Sequence, residues 1–97
     1  MNLKYNITMS DGSIWSIPVE IIAYDRALRY AHEFDDNIQR SLKEDTYPLF
    51  ESDHFEIKDW AQNNMNWSDV SIHAVLISPS NIDFQDDWIN GHIEIHP

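Results

Sequence analysis

The amino-acid sequence predicts an α+β domain, in which an antiparallel sheet of three to five strands carries two or three helices on one face. Apolar and polar residues alternate over residues 3–9, as in a half-buried strand. Apolar residues recur at spacings of three and four over residues 19–34, as on one face of a helix. Residues 70–77 are rich in β-branched side chains, which favour strands. The 97 residues fit a single domain covering 1–97.

The first two strands are expected to form a hairpin from residues 2–9 and 13–17. Between them, Asp11-Gly12 supplies the positive backbone angles that a tight turn needs. The alternation in both segments would place Trp15 in the core. The sequence therefore predicts an antiparallel pair at the start of the domain.

A helix is expected to follow over about residues 18–34, because Pro18 suits the first turn of a helix. Its apolar stripe includes Ile22, whose side chain should be buried. The run Asp35-Asp36-Asn37 would end this helix. A shorter helix beginning near Ile38 is expected to close before Pro48.

Residues 45–52 have the composition of a loop, yet three large apolar side chains predict that this loop packs onto the core. The next helix is expected over about 53–64, where Asp53 and Glu56 resemble a capping box. Trp60 would lie on its inner face.

Residues 70–77 are apolar on both faces, which predicts an inner strand ended by Pro79. Residues 84–89 are compatible with a helical turn or a strand. Asn90-Gly91 signals a turn before a last strand at His92–Ile95.

Composition excludes several classes of function. The chain has no cysteine, so it has no disulfide and no cysteine-based metal site, and two glycines cannot build a phosphate-binding loop. No apolar run is long enough to span a membrane, and no signal peptide is recognisable. Direct binding of nucleic acid is disfavoured by the net charge of −11.

The charge is unevenly distributed along the chain. Residues 1–43 hold six acidic and five basic side chains, whereas residues 44–97 hold eleven acidic side chains and one basic one, Lys58. If the two halves are not interleaved in the fold, this asymmetry would produce a field of one sign over part of the surface. Two interpretations stay open: the acidic half confers solubility, or it binds a basic partner surface.

Three groups of residues suggest chemistry or binding. His92, Glu94 and His96 would share one face of a strand, in a pattern that can ligate zinc, but an edge strand with Ile93 and Ile95 facing the core is the preferred interpretation. The carboxylates fall in loops and at helix starts, where capping is their usual role, so no catalytic residue, metal or cofactor is predicted. Trp67 and Trp88 lie near acidic residues, which is the composition of an interface hot spot, or they fold inward.

Segments 9–19 (MSDGSIWSIPV), 46–50 (TYPLF) and 59–67 (DWAQNNMNW) resemble small acidic proteins encoded by tailed bacteriophages. The resemblance implies a protein in the cytoplasm of an infected bacterium. It also implies a class of activity, in which small acidic proteins occupy the nucleic-acid-binding surface of a host protein, as DNA mimics and anti-CRISPR proteins do.

The leading hypothesis is therefore a non-enzymatic inhibitor that docks on a basic surface of a host protein, without binding nucleic acid or membrane. The alternative is a structural or assembly protein that forms a homo-oligomer through a hydrophobic face. The residues predicted to bind the partner are Glu51, Asp53, Glu56, Asp59, Trp67, Asp69, Asp83, Asp86, Asp87 and Trp88.

Overall fold

The computed structural model describes residues 2–78, Trp88 and residues 92–97 of the chain. The strands are β1 (Lys4–Thr8), β2 (Ile14–Pro18), β3 (Val75–Ser78) and β4 (His92–His96). They form one antiparallel sheet in the order β3-β2-β1-β4. The α-helices are α1 (Val19–Tyr30), α2 (Ile38–Ser41), α3 (Tyr47–Ser52), α4 (Phe55–Asn64) and α5 (Trp67–Val70). The predicted α+β class with an antiparallel sheet is confirmed.

The predicted hairpin is formed by β1 and β2, with Tyr5 opposite Ile17 in the register. Gly12 takes the left-handed conformation, with φ of 88°, which a residue with a side chain rarely adopts. The turn is closed by Met9, whose N–H donates to the carbonyl oxygen of Ser13 at 2.8 Å. Asp11 Oδ1 also accepts from the backbone N–H of Ser13. The sequence signal at this turn thus corresponds to a defined network of hydrogen bonds.

Helix α1 begins one residue later than predicted, because Pro18 is the last residue of β2 and has extended backbone. The chain continues beyond α1 as a 3-10 turn over Ala31–Phe34. Asp35 and Asp36 then have φ angles of 55° and 61°, and this left-handed backbone ends the helical segment where predicted. Ile22 is fully buried, as expected from its place on the apolar stripe.

The prediction of a loop over residues 45–52 is wrong, and so is that of a helix closing before Pro48. Helix α2 leads into a π-helical turn over Leu42–Thr46, and α3 follows without a break. In a regular α-helix the ring of Pro48 would clash with the carbonyl of Glu44. The wider π turn ends at Thr46, two residues before the proline, and a helical backbone can therefore continue through Pro48. Phe50, predicted to pack onto the core, is fully buried.

The predicted helix over 53–64 is observed as α4, but Asp53 and Glu56 do not form a capping box. Asp53 instead accepts the N–H of Phe55 on its Oδ1 at 3.0 Å, two residues along the chain. A capping box is present instead at the start of α5, between Asn66 and Asp69. In it, Oδ2 of Asp69 accepts the N–H of Asn66 at 2.8 Å. Carboxylates at both positions stabilise a helix N-terminus.

The prediction of an inner strand over 70–77 is confirmed only for the strand in its second half. The first half of that segment is helical, as the end of α5 and a 3-10 turn over Ser71–His73, and the strand covers only Val75–Ser78. This strand lies at the edge of the described sheet. The capping carboxylate of Asp69 fixes a helix start close to the β-branched run, and local capping therefore prevails over strand propensity in its first residues.

One face of the sheet packs against the helices. Tyr5, Ile7 and Ile17 are fully buried there, together with Ile22 of α1 and Ile57 of α4. Ile93 and Ile95 of β4 pack against the same core. Trp60 is buried as predicted, whereas Trp15 is half-buried at the margin of the core. Apart from Trp88, the predicted element over 84–89 and the turn at Asn90-Gly91 lie outside the described residues.

Candidate protein-binding surface

Four of the predicted partner-binding residues lie where the chain turns from α3 into α4. Glu51, Asp53 and Asp59 are exposed, and Glu56 is half-buried. Phe55 stands among them with 62% of its surface exposed, which is unusual for a large aromatic side chain. We call this group, Glu51, Asp53, Phe55, Glu56 and Asp59, the acidic corner.

Helix α4 orients Phe55 and Asp59 of the acidic corner outward. Its inner face is formed by Ile57, Trp60 and Ala61, all of which are buried. Phe55 and Asp59 are four residues apart, so they are neighbours on the opposite face of the helix. The amphipathic pattern of α4 therefore places an aromatic ring and a carboxylate side by side in solvent.

The backbone of the acidic corner is held by local hydrogen bonds. The N–H of Asp53 donates to the carbonyl oxygen of Leu49 at 3.0 Å, which closes the last turn of α3. Ser52 donates its hydroxyl to the same carbonyl at 3.0 Å, and Asp53 holds the first turn of α4 as described above. These contacts fix the position of Phe55 relative to the flanking carboxylates.

Phe55 was not predicted as a binding residue. The sequence contained the signal, because position 55 lies outside the stripe of Ile57, Trp60 and Ala61 on the predicted helix. The sequence instead predicts Trp67 and Trp88 as the aromatic anchors, because both lie near acidic residues in the chain. The exposed aromatic residue beside the carboxylates is a phenylalanine, on the outer face of a helix that had been predicted.

Trp88 does not form an exposed anchor, which corrects its assignment to the partner-binding surface. Its side chain is fully buried, and its indole N–H donates to the carbonyl oxygen of Met65 at 3.1 Å. Its ring centroid lies 5.4 Å from that of Tyr5 and 6.2 Å from that of Trp67. The indole completes the core and satisfies its own polar atom there.

Trp67 also turns inward, although it stays half-buried. Its ring meets that of Trp15 in an edge-to-face arrangement with centroids 5.5 Å apart. Trp15, Trp67, Trp88 and Tyr5 thus form a continuous row of aromatic contacts. This row of rings explains why Trp67 is only half-buried at the core.

The remaining acidic candidates do not join the acidic corner in the described structure. Asp69 is exposed but accepts the backbone N–H of Asn66, so its carboxylate serves the start of α5. Asp83, Asp86 and Asp87 lie outside the described residues.

At the opposite edge of the sheet, β4 presents His92, Glu94 and His96 on one exposed face. Nε2 of His96 lies 2.9 Å from Oε2 of Glu94, and Nε2 of His92 lies 3.2 Å from its Oε1. The hydrogen bond from His96, followed by that from His92, lowers the pKa of the Glu94 carboxyl. Among the described residues, no group of three suitable side chains is arranged to hold a metal ion.

The sheet brings the two halves of the chain together. β4 pairs with β1, and β3 pairs with β2. The condition for a one-sided field, that the halves are not interleaved, is therefore not met. Negative charge is concentrated locally at the acidic corner, where Lys58 is the one lysine or arginine between Glu51 and Asp59.

Comparisons with protein-family models, with curated proteins and with solved structures found no match. Within the described part of the chain, the helices are too short or too polar to cross a membrane.

Proposed function

We propose that this protein is a non-enzymatic binding protein whose acidic corner docks on a basic surface of another protein. The observation that carries the proposal is Phe55, which is 62% exposed and is flanked along the chain by Glu51, Asp53, Glu56 and Asp59. A solubility role requires carboxylates, but it does not require an exposed aromatic ring among them.

The two kinds of side chain would contribute differently to binding. Long-range attraction by the carboxylates accelerates the encounter with a positively charged surface. Phe55 would then bury its ring in a pocket or between the stems of lysine and arginine side chains, where a cation over the ring is also favourable. Phe55 would account for much of the affinity, and the carboxylates for selectivity and association rate.

The partner would be a protein whose basic surface ordinarily binds nucleic acid. Such surfaces carry clustered lysine and arginine, which the carboxylates of the acidic corner would contact in place of phosphates. The resemblance to small acidic phage proteins supports a host protein in the bacterial cytoplasm, in a defence complex for example, as this partner. The protein would then act as an inhibitor that competes with DNA or RNA.

The first test maps the binding surface with a synthetic peptide of alternating lysine, arginine and leucine. The peptide is titrated into the isotope-labelled chain, and amide chemical shifts are followed by NMR. We expect the shifts to concentrate at residues 51–59, and affinity to fall as salt is raised. Equal shifts at another exposed acidic site, such as Glu33, would show that the basic peptide is attracted nonspecifically to the acidic chain, and would contradict the proposal.

Matched variants separate the roles of ring and charge. Phe55→Ala is compared with Leu28→Ala, because Leu28 is 53% exposed and belongs to a different helix, α1. Glu51→Lys is compared with Glu33→Lys, since both glutamates are exposed. Loss of an anchoring aromatic residue should weaken binding by about 5- to 30-fold. Glu51→Lys should slow association, and the two controls should bind the peptide as the unmodified chain does.

A further inference from the structure

Strand β3 forms an edge of the described sheet and is unusually apolar for that position. Val75 is 63% exposed, Leu76 is 40% exposed and Ile77 is 56% exposed. Ile72, in the 3-10 turn just before the strand, is 82% exposed. An edge strand also presents backbone N–H and C=O groups that can pair with another strand.

The sequence around β3 has none of the charged side chains that usually protect an edge strand. Edge strands commonly carry charged residues that discourage pairing with other chains. No charged residue occurs from Val70 to Ile82, although the whole chain has seventeen acidic and six basic residues. The other edge strand, β4, has Glu94 between His92 and His96 on its exposed face. The two outer strands of the described sheet therefore differ in charge, since β4 carries a carboxylate and β3 carries none.

We propose that β3 pairs with β3 of a second copy of this chain. The two strands would run antiparallel about a twofold axis and join the two four-stranded sheets into one. This surface is separate from the acidic corner on α3 and α4.

Charge identifies the second copy as the occupant. Each chain has a net charge of −11, so two copies repel each other over most relative orientations. At β3 they can meet without placing like charges opposite one another. A basic partner, in contrast, would find no carboxylate between residues 70 and 82 to contact. A neutral, aliphatic strand is complementary to itself.

The extent of the surface sets the strength of the association. A stable interface buries about 800 Å² on each partner. The exposed side chains of Ile72, Val75, Leu76 and Ile77 are fewer than such an interface contains. We therefore expect a dimer that forms reversibly as concentration is raised. Salt should favour it, because screening weakens the repulsion between the two chains.

Sedimentation equilibrium tests this expectation. The mass of the unmodified chain should rise with concentration from 11.5 kDa towards twice that value, and it should rise further in salt. Val75→Lys together with Ile77→Lys should abolish the rise, although both changes reduce the net negative charge. Leu28→Lys, at an exposed aliphatic residue on α1, should leave it unchanged. A constant mass of 11.5 kDa at every concentration would overturn the proposal.

A second experiment does not depend on the lysine variants. Because the chain has no cysteine, single cysteines can be introduced at Val75, Leu76 and Ile77, with Leu28→Cys as the control. Residues opposite each other across a twofold axis come close enough for a disulfide. Under mild oxidation, at least one of the three β3 variants should form covalent dimers faster than Leu28→Cys. Equal rates at all four positions would show random collision and would overturn the proposal.

Discussion

Arg26 connects α1 to the π-helical turn that sequence patterns did not predict. Its Nη1 donates to Oδ2 of Asp45 at 2.8 Å and to Oγ1 of Thr46 at 3.0 Å. The guanidinium also lies 4.7 Å from the ring centroid of Tyr30. Only 13% of the Arg26 side chain is exposed, so its charge depends on these partners for compensation.

Arg26→Met should therefore lower the free energy of unfolding by about 1–3 kcal/mol, because it removes charged hydrogen bonds from a partly buried site. Arg40→Met is the matched control. Arg40 is half-exposed and pairs with Glu44 at the surface, so its loss should cost less than about 1 kcal/mol. Urea denaturation of both variants measures the difference. Equal effects would show that the contacts of Arg26 do not stabilise the π turn.

Tyr47 provides a pH-dependent contact in the same region. Its hydroxyl donates a hydrogen bond to Oε1 of Glu20. Burial of the phenol, followed by the hydrogen bond to Glu20 and the negative charge of that residue, raises the pKa of Tyr47 to about 12. The protonated phenol is thus favoured in the folded state.

The sign of the pH effect follows from this shift. Below pH 10 the phenol is protonated in both states, and the stabilisation is complete. Between pH 10 and about 12 the unfolded chain loses the proton while the folded chain keeps it, so stability falls as pH rises. Urea midpoints should fall more steeply over this range for the unmodified chain than for Tyr47→Phe. Parallel curves would show that Tyr47 does not contribute.

Helix α1 has one face buried in the core and one face exposed to solvent. Ile22, Ala23 and Ala27 are fully buried, whereas Leu28 is 53% exposed. Ile22→Ala should cost about 2–5 kcal/mol, since it leaves a cavity in the core. Leu28→Ala should change stability by less than about 0.5 kcal/mol, because its side chain lies at the surface. If urea denaturation gave the two variants similar stabilities, the orientation of α1 would be wrong.

The hairpin, α1 and α4 could be predicted from hydrophobic periodicity. Each of them combines a repeating apolar pattern with a terminal signal, such as Gly12 at the turn or Asp35 after α1. The exposed carboxylates of the acidic corner could likewise be predicted, because an isolated carboxylate is costly to bury.

The rest depended on contacts that local sequence does not encode. The helical path through Pro48 involves a π turn whose last residues are hydrogen-bonded to Arg26, nineteen and twenty residues earlier. The inward placement of Trp88 is fixed by Tyr5 and by the carbonyl of Met65, which are distant in sequence. The edge position of β3 is set by the order of strands in the sheet. Each is a tertiary effect that prevails over local propensity.

On the scale of the whole molecule, the sheet determines how charge is distributed. β1 and β2 come from the nearly neutral half of the chain, and each pairs with a strand from the acidic half. The excess of carboxylates is thus not confined by topology to one lobe. Two separate surfaces follow, the acidic corner and the neutral edge at β3, and salt should weaken binding at the first while favouring pairing at the second.

The net charge of −11 should also oppose folding, because compaction brings like charges closer together. Raising NaCl from 0.01 M to 0.15 M shortens the screening length from about 30 Å to about 8 Å. We expect stability to increase over this range, and each 1 kcal/mol gained should raise Tm by about 4–8 °C.

The control is Glu33→Lys combined with Glu51→Lys. Each substitution replaces a negative charge with a positive one, so the net charge of the double variant becomes less negative by four. The salt response of this variant should be smaller if self-repulsion is its cause. A Tm independent of salt, or an equal response in the variant, would show that the carboxylates are too far apart or too well compensated to repel one another.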